Sequence, residues 1–134
     1  MASHFKIDNS KSDKKDRLHI NFDKKEITGN ITVMNFVDHN HHICYIPTLK
    51  ISSYGDTKKE ALDRLIHEVI DDYFDNLFSL NKEQLDSELR RNGWLKNKLF
   101  SKRFLSKSFV DKDGILKDFN LPKETKIETT VLAA

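Results

Sequence analysis

Four side chains that can bind a metal or act as nucleophile and base stand close together in "DHNHHIC": His39, His41, His42 and Cys44. On an extended strand His42 and Cys44 point to one face, and a tetrahedral metal would need two further ligands converging on them. No CxxC or HxxxH spacing supplies those ligands. A thiol–imidazole pair would need contact between the two groups, a third group to orient the ring, and an oxyanion hole. Neighbours on one strand face lie side by side rather than aimed at each other. The simpler reading is a polar hairpin turn beside an ordinary buried cysteine, with no metal, no cofactor and no catalytic residue. Metal-assisted nuclease chemistry would need several carboxylates on the sheet. The strand-like segments offer only Glu26 and Glu128. An enzyme is therefore not expected.

Charge is distributed more tellingly than it sums. The 134 residues carry a net charge of only +2, so the whole molecule is no general polyanion binder. Residues 56–88 hold ten acids against four bases, and Asp63, Glu68, Asp71 and Asp72 share the polar face of one amphipathic segment. Those four are the expected partner-binding residues. Residues 90–110 hold seven bases and no acid, interleaved with aromatics. Arg90, Arg91, Trp94, Lys96, Lys102 and Arg103 would suit single-stranded RNA, bases neutralising phosphate and rings stacking on nucleobases. The competing account has these aromatics covering a helix while the bases face its acids, and the helix described next favours it.

The elements that must position these groups follow from periodicity. One cysteine excludes an internal disulfide and fits a reducing, cytoplasmic compartment. No apolar run approaches the ~20 residues of a membrane span. Residues 1–17 read as a flexible arm in which "HFKI" could add an edge strand, and 18–134 as a single domain. Alternation in "LHINF", "EITGNITVMNF", "HHICYIP" and "LKISSY" predicts three or four antiparallel strands before residue 55. Gly55 then turns the chain, and Thr57 with Glu60 has capping-box spacing for a helix from about Thr57 to Phe78. Its apolar pairs recur every four residues, from Ala61-Leu62 to Leu77-Phe78. At about 100° per residue such a stripe drifts by about 160° over those four steps. One flat sheet cannot cover it, so the C-terminal segment or another chain must bury the aromatic end. Asn81 with Gln84 opens a shorter second helix that stops at Gly93. Asp113-Gly114 reads as a turn, and "KIETTVLA" as a last strand. The expected fold is α+β: a three- to four-stranded, mainly antiparallel sheet with a long helix on one face (β-β-β-α-β-like), a short second helix and a C-terminal strand.

The stretch "IPTLKISSYGDTKKEALDRLIHEVIDDYF" resembles the HicB-like antitoxins of bacterial toxin–antitoxin pairs. Pro47, Leu49, Gly55, Asp56, Thr57, Glu60 and Ala61 match that family's strand–loop–helix motif, and the likeness covers about residues 27–78. It departs from the family where Lys50-Ile51 replace the usual Pro-Gly and the loop is about a residue shorter. The resemblance implies a partial ribonuclease-H-like unit lacking nuclease carboxylates, and a partner that is a small basic HicA-like ribonuclease toxin. Many relatives add a DNA-binding module, but residues 81–134 are short for one, which argues against operator binding. Association with further copies of the chain is compatible with this reading, and RNA or ribosome binding through 90–109 is its alternative.

Overall fold

The computed structural model describes residues 5–9, 15–97, 99, 102–106 and 112–134. Among these, eight strands form one open antiparallel sheet: β1 (Lys6–Ile7), β2 (Arg17–Asn21), β3 (Glu26–Asp38), β4 (His41–Ile46), β5 (Ile51–Gly55), β6 (Trp94–Lys96), β7 (Arg103–Ser106) and β8 (Glu128–Ala133). The spatial order is β1-β8-β3-β2-β7-β6, with β4 and then β5 extending from the later half of β3. The protein is α+β, but eight strands exceed the three or four that patterning predicts. Two residues are too few for β1 to show alternation, and β6 and β7 fall in a segment whose apolar spacing fits strand and helix alike. The β3–β4 turn is the expected polar hairpin, tightened to His39 and Asn40, both at positive φ (50° and 67°). That geometry matches the twist of the paired strands.

Helix α1 is continuous over 58–79, built from an α-helical segment Lys58–Arg64, a π-helical turn Leu65–Val69 and a second α-helical segment Ile70–Ser79. The π turn, closed by the Ile70 amide on the Leu65 carbonyl, answers the drifting stripe. A π turn takes in one extra residue, which rotates everything after it back by about 100° and removes most of the ~160° drift. Ala61, Leu62 and Leu65 before it, and Ile70, Phe74, Leu77 and Phe78 after it, therefore bury into one core. The remaining rotation is met from both ends of the chain. Phe5 stacks on Phe74 with centroids 6.0 Å apart, Phe22 tilts against Phe78 at 6.4 Å, and Leu85, Leu89 and Trp94 join the same cluster. Phe5 is 1% exposed and Asp16 5%. The flexible-arm reading of residues 1–17 thus fails for 5–9 and 15–17, because both stretches are pinned by burial. Residues 1–4 and 10–14 lie outside the described residues.

Helix α2 (Lys82–Arg91) starts on the expected capping box, with Asn81 and Gln84 satisfying each other's backbone amides at 2.8 and 3.1 Å. The Thr57 cap of α1 forms only half of its box. Thr57 Oγ1 accepts from the Glu60 amide at 3.1 Å, while the Glu60 carboxylate turns to Arg64 at 3.4 Å. Asp113 and Gly114 form the first turn of α3 (Lys112–Asp118) rather than a turn between strands. Ile115, fully buried with Met34, Phe36 and Ile127 on the sheet's other side, offsets the ~1 kcal/mol that a helical glycine costs. Among the described residues, helices α1 and α2 thus cover one face of the sheet, and α3 covers the other face where β3 and β4 pair.

Candidate functional site

The histidine–cysteine group does not converge. Cys44 is fully buried on the α1 side, and its thiol donates to Asn35 Oδ1 at 3.1 Å. Burial pushes that thiol up to about 11, which makes it inert as a nucleophile at neutral pH. His41 stands on the opposite face, edge-on to the Tyr54 ring at 5.9 Å. His39 is 91% exposed in the turn beside Asp38, at 2.8 Å. No group of three His, Cys, Asp or Glu side chains suited to a metal occurs among the described residues.

The motif residues act on packing. Pro47, Leu49 and Ala61 are buried. A Cβ on Gly55 would meet the Ala61 amide nitrogen at 2.8 Å and Glu60 Cβ at 3.0 Å, so the glycine lets β5 touch the first turn of α1. Ser53 Oγ, on the same strand, donates to the Ala61 carbonyl at 2.6 Å. Asp56 is exposed. The strand–helix junction is therefore a packed joint with a capped helix start.

The acidic face of α1 divides into two parts. In the first, Lys59 pairs with Asp63 (3.1 Å) and Arg64 with Glu60, exposed pairs that neutralise charge and contribute little stability. In the second, Glu68, Asp72 and Asp75 are exposed and Asp71 half-buried, with no Lys or Arg between 65 and 81. The basic–aromatic segment is dispersed. Trp94 is 1% exposed and its Nε1 donates to the Thr48 carbonyl at 2.9 Å, so no base can stack on it. Phe104 is buried as well. Lys96 pairs with Asp86 at 2.7 Å and Arg91 with Glu88 at 3.2 Å, acids of α2 rather than of the long helix that the competing account has them face. Arg90 is exposed on α2, Lys102 lines a small pocket with Lys96 and with Leu85 and Asp86 of α2, and Arg103 opens strand β7. Lys98, Phe100, Lys107 and Phe109 lie outside the described residues. A pocket of about 40 Å³ between Phe22, Leu85 and Phe104 has room for water but not for a cofactor.

One polar cluster has no signal in the sequence. Strands β2 and β4 pair with successive halves of the same edge of β3, through residues 26–30 and 34–38. The notch between them takes Asp16, whose carboxylate accepts from Thr32 Oγ1 at 2.8 Å and Thr48 Oγ1 at 2.6 Å. Burial raises its carboxyl above the ordinary aspartate value, against the lowering effect of the two hydroxyls. The Trp94–Thr48 bond ties the same notch to β6.

Strand β4 is internal, flanked by β3 and β5. The edge is β5, where the Arg64 guanidinium bonds the Tyr54 carbonyl at 3.1 Å and lies 5.5 Å over its ring, blunting the strand against augmentation. Among the described residues no helix is long and apolar enough to cross a membrane. No family model, curated protein or solved structure matches this chain.

Proposed function

We propose that this chain is a non-catalytic protein-binding module of the HicB-like antitoxin type, which neutralises a small basic ribonuclease toxin by covering its surface. The observation that carries the reading is the outer face of α1, where Glu68 and Asp72 are exposed and no Lys or Arg occurs between residues 65 and 81. Cationic active-site surfaces that grip RNA are complementary to such a face, and complementary charge raises the association rate. The motif shared with the family supports the reading from a second side, since its buried members build the joint that sets α1 on the sheet. Rim charges act mainly on association rate and its salt dependence. Replacing Asp63, Glu68, Asp71 and Asp72 by Asn or Gln should therefore slow binding to a basic toxin encoded beside its gene, flatten the salt slope, and keep the fold. Stopped-flow association of the quadruple variant measures this. An unchanged rate and salt slope would remove the helix as the interface.

A further inference from the structure

We draw no further inference here: the strongest candidate, the buried Asp16 carboxylate in the notch between β2 and β4, rests on the upward shift of its carboxyl alone, its two oxygens being satisfied within the fold by Thr32 and Thr48.

Discussion

Gly55→Ala tests whether the motif glycine packs or functions. Gly55 has no left-handed φ, so alanine is conformationally permitted and would stabilise by about 0.4–1 kcal/mol through the unfolded chain. Sterics oppose this. The new methyl would sit 2.8 Å from the Ala61 amide nitrogen and 3.0 Å from Glu60 Cβ and Cγ. The Glu60 side chain can swing aside, but the helix backbone cannot. Strand and helix must therefore part, and the 2.6 Å Ser53–Ala61 bond lengthens with them. Overpacking costs about 1–3 kcal/mol and a weakened hydrogen bond about 1 kcal/mol. Set against the chain-entropy gain, the net loss is about 1–3.5 kcal/mol. With a urea slope near 2 kcal/mol/M, the denaturation midpoint should fall by about 0.5–1.8 M at unchanged slope. Asp56→Asn, at the exposed neighbour, should stay within about 0.5 kcal/mol of the parent. If Gly55→Ala proved as stable as the parent while Asp56→Asn lost stability, the packed-joint reading would be wrong.

Other expectations concern the buried polar groups. Burial raises the Asp16 carboxyl, so its contribution to stability is complete below the ordinary aspartate value and lost as pH rises through the folded one. Asp16→Asn should thus melt higher than the parent near neutral pH, with a flatter acid profile; a variant less stable at neutrality would contradict this. Trp94→Phe strips the buried Thr48 carbonyl of its donor and should cost about 1–3 kcal/mol in urea. Cys44, fully buried with its thiol pushed up to about 11, should resist thiol reagents in the native protein and react only on unfolding. Rapid labelling of the folded chain would show the site to be open.

Signals in the sequence are legible where they decide structure locally. The Asn81–Gln84 box forms as its spacing implies, and the β3–β4 hairpin takes the two-residue turn that His39-Asn40 permits. The long helix was legible in extent, and its stripe drift was a true feature of the sequence. What periodicity could not reveal was the remedy. An α-helix would have needed a new covering element, whereas a π turn at Leu65–Val69 rotated the stripe back to the same core. The place of Asp16 is hidden in the sequence for a related reason. A lone acid in a polar run looks solvated until β2 and β4 leave a notch on one edge of β3, and only tertiary pairing creates that notch.

Surfaces obey the same division. The carboxylates of α1 are visible in sequence because a helix face is local: positions three and four apart share it, and a single window contains Glu68, Asp72 and Asp75. The basic segment 90–109 looked like a surface for the opposite reason. Closeness in sequence suggested closeness in space, yet Trp94 and Phe104 turned into the core while Lys96 and Arg91 found acids on α2. Residues 19 and 103 stand opposite each other on paired strands although each is unremarkable in its own window, because strand register alone aligns them. In a sheet with non-sequential neighbours such as β1-β8-β3-β2-β7-β6, a binding face is set by pairing partners far apart in the chain. The helical side of this protein could therefore be anticipated from its sequence, and the sheet side only from its fold.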